Sequence, residues 1–156
     1  MIIEKEDLAS LIPHKGKMMF LSRVREYNLD ERSLCAECHI TEDCLFYDPA
    51  IGAVPAWVGF EFMAQAISAL SGIQGRIMGV EPRIGFIMSV SFMQIALPSF
   101  KAGSIVEVKV KEKNSMDTVY NFTGEIFLEG RKVMEGSLTV MDATDKQIET
   151  IRKENI

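Results

Sequence analysis

The stretch "VPAWVGFEFMAQAISAL", Val54 to Leu70, decides how the chain is read. It is almost continuously apolar and has the length and composition of a buried helix. The pattern continues to Met78, so the expected helix runs from Ala56 to Met78. Pro55 stands just at its start, where a missing N–H costs nothing. Gly79 follows the last turn as a C-terminal stop. Gly72 and Gly75 weaken the helix intrinsically and are read as sites of close packing on a sheet. Apolar residues occupy nearly every side, so the helix is expected to be enclosed rather than to lie on a surface.

Glu61 interrupts this stretch. A carboxylate in an apolar setting loses hydration, which favours its neutral form. Such a group suits general-acid or proton-relay work near neutral pH. The bland alternative is that Glu61 reaches a surface or meets an arginine, as most glutamates end exposed. Gln65 lies one turn later on the same face, where it is expected to hold the carboxyl, and Ser68 continues the stripe. At the helix start the N–H groups of Ala56 and Trp57 are free donors at a positive end. Donors so placed polarise a carbonyl oxygen, which points to acyl or thioester chemistry.

Outward from the helix, the chain is sheet. Upstream, "EKEDLASLI" suggests a short N-terminal helix within 1–12, ended by Pro13. Met18 to Asn28 reads as a strand, "LDER" as a turn, and "SLCAECHIT" as a second strand hairpinned to the first. "EDCLFYDPAIGAVP" is a loop. Downstream, "RIGFIMSVSFMQIAL", "SIVEVKVKEKN", "TVYNFTGEIFLEG" and "KVMEGSLTVMDA" read as four strands, separated by "PSFKAG", "SMD" and "EGR". "IVEVKVKEK" and "VMEGSLTVM" alternate with period two, as half-buried antiparallel strands do. Positions 143–156 are a polar tail. One helix wrapped by an antiparallel sheet is an α+β arrangement, and its free edge calls for a second copy.

The 156 residues fit one domain, 1–156, and are 47% hydrophobic and 25% charged. The formal net charge of -5, without any basic block, argues against nucleic-acid binding. Charges at Glu4, Lys5, Glu6 and Asp7 leave no room for the apolar core of a secretion signal. Glu61, Gln65 and Ser68 interrupt the longest apolar segment, so no membrane span is expected. The expected location is therefore the cytoplasm, with reduced cysteines. "CAECH", Cys35 to His39, matches the C-x-x-C-H pattern of c-type haem attachment. On a strand, residues three apart point to opposite faces, so the two thiols diverge and the match is set aside. No second ligand pair lies downstream for zinc. His39 is expected to be an exposed or packed strand residue.

"PAWVGFEFMAQA" resembles the start of the central helix in hot-dog-fold 3-hydroxyacyl-carrier-protein dehydratases. There a Pro-Gly-Val-Leu-x-x-Glu-Ala-Met-Ala-Gln segment carries the acidic catalytic residue, and Glu61, Met63, Ala64 and Gln65 fall on matching positions. "LIPHKGKMMFLSRV" is similar to the family's Leu-Leu-Pro-His-Arg-x-Pro-Phe-Leu-Leu-x-Asp-Arg-Val, with Pro13, His14, Arg23 and Val24 in register. The nearest likeness is to the divergent aryl-polyene-type branch, which also reads Pro-His near its start and Pro-Ala-Trp-Val-Gly-x-Glu on the helix. The common family carries a catalytic His in His-Phe-Pro-Gly-x-Pro; the matching position here is Tyr47. The family's Gly after the second Pro is Ala56.

The resemblance implies a hot-dog fold, a homodimer, and removal of water from 3-hydroxyacyl thioesters to give trans-2-enoyl products. It implies an acyl-carrier-protein or CoA thioester as substrate, and no metal or dissociable cofactor. Glu61 matches the family's acid. His14 is the only histidine in a matching motif, and either replaces the missing base or braces the tunnel. Tyr47, Ala56, Trp57, Phe60 and Gln65 are the expected substrate-binding set, with Phe62 and Met63 beside the acyl chain. Two rival activities remain: a thioesterase on the same fold, and a catalytically silent acyl-binding subunit in a heterodimer with an active dehydratase.

Overall fold

A computed structural model describes residues 2–80, 85–143, 149–150 and 153–154. Its elements are β1 (Ile3–Glu4), α1 (Lys5–Leu8), β2 (Arg23–Asn28), β3 (Ser33–His39), β4 (Ala53–Pro55), α2 (Gly59–Met78), β5 (Gly85–Ile95), β6 (Ser99–Lys101), β7 (Ile105–Met116), β8 (Val119–Leu128) and β9 (Arg131–Asp142). A 3-10 turn over Ala56–Val58 leads into α2, so the helical stretch begins and ends where the sequence places it. Gly79 closes α2 at φ 73°, a left-handed conformation that glycine adopts without a Cβ clash.

Seven strands form an antiparallel sheet in the order β1-β2-β3-β7-β8-β9-β5, and β4 and β6 form a separate two-stranded ribbon. Helix α2 packs on β3, β7 and β8. The period-two pattern sets the core face. Val106, Val108 and Val110 of β7, Phe122 and Ile126 of β8, and Met134 and Leu138 of β9 are buried. They form one cluster with Phe62, Met63, Ala66, Ile67, Leu70 and Ile73 of α2. Each of these large side chains contributes about 1.5–3 kcal/mol on burial, so this seam dominates the favourable side of folding.

Several expectations change. The N-terminal helix within 1–12 shrinks to Lys5–Leu8, because Ile3 and Glu4 pair with Val24 and Arg23 as a strand. Leu8, Leu11 and Ile12 are still buried in the one core cluster, with Leu11 against Gly72 of α2. The first long strand begins at Arg23 instead of Met18, since Gly16–Met18 form a 3-10 turn. The loop before the helix and the "PSFKAG" separator each contain a short strand, β4 and β6, paired to each other. Helix α2 is not enclosed all round: Trp57 is exposed and Phe60, Glu61, Ala64, Ser68 and Ser71 are half-buried. Most of the polar tail, 143–156, lies outside the described residues.

Strand β3 is buried from Leu34 to Cys38. Cys38 joins the core cluster on one face, while Cys35 lies on the other. Burial raises both thiols, Cys35 to about 11, so neither is a ready thiolate. His39 is exposed, its Nε2 3.8 Å from Glu37 Oε1, as a strand-end residue.

Candidate active site

Residues three and four apart share a helix face, so Trp57, Phe60, Glu61, Ala64, Ser68 and Ser71 line one stripe of the helical stretch. This is the side of α2 that the sheet leaves least covered. Glu61 sits there half-buried. Burial raises its carboxyl pKa above the ordinary 4.5. No hydrogen bond or ion pair engages the carboxyl among the described residues, so it remains available to an incoming group.

Gln65 does not hold Glu61. Its side chain is fully buried. Its Oε1 accepts the Phe20 N–H at 2.8 Å, and its Nε2 donates to the Met18 carbonyl at 2.5 Å. Both functions of the amide are thus spent on one passing backbone segment, which they fasten to the helix. A buried amide left unpaired costs about 1–3 kcal/mol, which explains why a polar residue survives here. The sequence shows a polar stripe but not the partner, because the bonded segment lies far away along the chain.

The helix-start donors also differ from expectation. The Ala56 N–H donates to the Pro98 carbonyl at 3.0 Å, which ties the helix entry to the chain leading into β6. Ala56 is therefore taken, and the Trp57 N–H is the remaining candidate donor at this terminus. Trp57 and Phe60 line an apolar cavity of about 210 Å³ with Val90, Met93, Ile95 and Met134. Glu61 follows Phe60 in sequence and lies on the same stripe of the helix, though it does not itself line the slot. Phe62 and Met63 turn the other way, into the core.

His14 follows an exposed Pro13 and is itself half-buried. Its Nδ1 is buried without a hydrogen-bond partner among the described residues. Burial first, and the charge of Lys15 second, lower its pKa below the ordinary 6.5. It is therefore a neutral imidazole near neutral pH. No hydrogen bond joins it to Glu61 within the chain. Tyr47 packs half-buried against the core, its N–H donating to the Cys44 carbonyl at 3.0 Å. The turn beyond it is closed by Asp48, whose N–H donates to the Ala53 carbonyl at 2.9 Å. Tyr47 makes no hydrogen bond with Glu61 either. The structure thus gathers Glu61, Trp57 and Phe60 on one stripe, and leaves His14 and Tyr47 apart from them within one protomer's hydrogen-bond network.

A family model described as ApeP-like, ApeP dehydratase, matches residues 6–151. A 3-hydroxyacyl-[acyl-carrier-protein] dehydratase FabZ from Levilactobacillus brevis is 26% identical over 121 residues, covering 76% of this chain and 80% of that protein. Among solved structures, the dehydratase heterocomplex ApeI:P from Xenorhabdus doucetiae superposes with a TM-score of 0.83 at 21% identity, covering 92% and 95% of the two chains. A thioesterase-like phenylacetic acid degradation-related protein from Ralstonia eutropha reaches 0.57 at 18% identity, covering 76% and 82%. The likeness fits the α+β hot-dog fold, one long helix against an antiparallel sheet. No helix among the described residues is long and apolar enough to cross a membrane.

Proposed function

Because this chain belongs to the ApeP-like dehydratase family, we propose that it removes water from 3-hydroxyacyl chains carried as thioesters on an acyl-carrier protein or CoA. The observation that carries this reading is Glu61: half-buried, raised in pKa, without a hydrogen bond or ion pair among the described residues, and on the same helix stripe as Trp57 and Phe60 of the apolar slot. A neutral carboxyl there is suited to protonate a leaving hydroxyl. The elimination balances simply. A base takes the proton from the carbon next to the thioester carbonyl, the carbon–oxygen bond breaks at the next carbon, and Glu61 gives its proton to the departing oxygen. The products are water and a trans-2-enoyl thioester. The Trp57 N–H faces the carbonyl oxygen where negative charge builds, and Phe60 lies along the acyl chain. His14, neutral and unpaired at Nδ1 among the described residues, is the candidate base, which must come within reach of Glu61 to act.

Glu61→Gln tests the reading. It keeps size and hydrogen bonding but carries no acidic proton. Enoyl formation from a 3-hydroxyacyl thioester should fall about a hundredfold or more, the usual scale for loss of general-acid catalysis. Unchanged turnover would remove Glu61 from the mechanism. Release of free thiol from saturated acyl thioesters as well would instead assign thioester hydrolysis.

A second reading is favoured by two observations. Tyr47 stands where the family places its loop histidine, and the apolar strand β5 has one edge unpaired among the described residues. In this version β5 joins a second hot-dog chain, the same or a related active dehydratase, and that chain supplies the base opposite Glu61. Turnover appearing only on mixing with such a chain, and lost with Glu61→Gln in the mixture, is its expected signature.

A further inference from the structure

A second cavity, larger than the slot of Trp57 and Phe60, opens among the described residues, and Glu61 does not line it. It measures about 880 Å³, within the size range of small-molecule sites. Its inner wall is apolar: Phe20, Phe46, Phe62, Val54, Val58 and Ile40. Phe62 and Glu61 are consecutive on α2, so their side chains diverge by about 100°. The cavity shares no lining residue with the apolar slot of Trp57 and Phe60. A run of tilted and edge-on ring contacts links the two linings. Phe46 meets Trp57 edge-on at 5.5 Å between centroids and Phe20 at 5.7 Å, and Phe20 meets Phe62 at 5.9 Å.

The mouth has a different character. Lys5, Lys17 and Arg23 line it, against Glu4 and Asp43. Arg23 and Glu4 neutralise each other through a 2.6 Å ion pair, and Arg23 also lies 4.0 Å from Glu37. His39 lies on the rim beside the same Glu37 at 3.8 Å. Lys5 and Lys17 have no ion pair among the described residues. In a chain of net charge -5, the rim therefore keeps an excess of free ammonium groups over an aromatic floor.

We propose that this cavity is a second, non-catalytic binding site for an anionic amphipath, a molecule with an aryl or extended apolar body and one anionic end group. The body lies against Phe20, Phe46 and Phe62, where ring-to-ring contact adds about 0.5–1.5 kcal/mol per pair beyond burial. The anion rests at Lys5 and Lys17. The proposal does not depend on Glu61 being catalytic.

Two dyes of one ring system separate body from charge: 8-anilinonaphthalene-1-sulfonate and the uncharged N-phenyl-1-naphthylamine. Fluorescence titration of the full chain should give saturable binding of both. Lys17→Glu should weaken the sulfonate about tenfold, as expected for reversing a partly exposed charge, and leave the neutral dye unchanged. Phe46→Ala should weaken both, with the thermal melt confirming a folded protein. Glu61→Gln should alter neither, even where it abolishes turnover, which keeps this test apart from that of the catalytic reading. The proposal is overturned if the sulfonate fails to saturate, if Lys17→Glu leaves it unchanged or weakens both dyes alike, or if Glu61→Gln weakens either dye.

Discussion

Glu61 and His14 move in opposite directions from their ordinary pKa values, and their common working range follows from that. The proposed elimination needs Glu61 protonated and His14 neutral. Burial raises Glu61 above 4.5, so it keeps a larger share of its proton at a given pH. Burial and Lys15 lower His14 below 6.5, so it sheds its proton earlier. Turnover should therefore rise with pH as His14 loses its proton and fall as Glu61 ionises, giving a bell that each single substitution truncates on one limb. His14→Ala should lower the rate about a hundredfold and erase the acidic limb, while Tyr47→Phe costs much less, because a phenol of pKa about 10 is a poor base. A larger loss for Tyr47→Phe would transfer the role. At this scale the sequence marks Glu61 as a candidate, because a charge inside an apolar helix is a local anomaly. It does not disclose the Gln65 bonds to Met18 and Phe20 or the Ala56 bond to Pro98, since a side chain's distant partner leaves no trace in local spacing.

Between α2 and the segment that carries Leu11, one glycine sets the packing distance. A Cβ on Gly72 would collide with the carbonyl of Leu11, which is backbone and has little room to yield. Glycine in a helix interior ordinarily costs about 1 kcal/mol relative to alanine. Here the sign should reverse. Gly72→Ala is expected to destabilise the fold by roughly 1–3 kcal/mol, the usual cost of overpacking, read as a lower urea midpoint at unchanged slope. A higher midpoint would mean that the Leu11 segment shifts freely. The sequence marks the strong alternation of β7 and β9 as strands and Gly72 as a site of close packing, but on a sheet, whereas its neighbour is the Leu11 backbone outside any strand. It misses β1, β4 and β6, which are too short for a period to declare itself and exist only through pairing. It overextends the first long strand for a related reason: Met19 and Leu21 are buried by tertiary contact, without ladder partners.

For the molecule as a whole, β5 is the unfinished part. It pairs with β9 on one side and carries exposed Met88, Val90, Phe92 and Ile95. An apolar sheet edge of this kind is normally covered by a partner. Sedimentation at micromolar concentration should give twice 17.5 kDa, or a mixed dimer when the related chain is present. Phe92→Lys should shift either species toward monomer, and a wild-type monomer unaffected by the change would leave the edge without that role. The order of strands along the chain predicts the need for a partner but not the join between the two halves. That join is β3 on β7, with Ser33 opposite Lys111 and His39 opposite Ile105. Strands β7, β8 and β9 close through tight turns, whereas β3 meets β7 only after a long loop containing α2 is closed, and that entropy precedes any reward. The three-stranded meander is thus the part able to assemble quickly. During synthesis β3 can lay its apolar face on α2 as soon as that helix emerges, yet its free edge must stay unpaired until β7 follows.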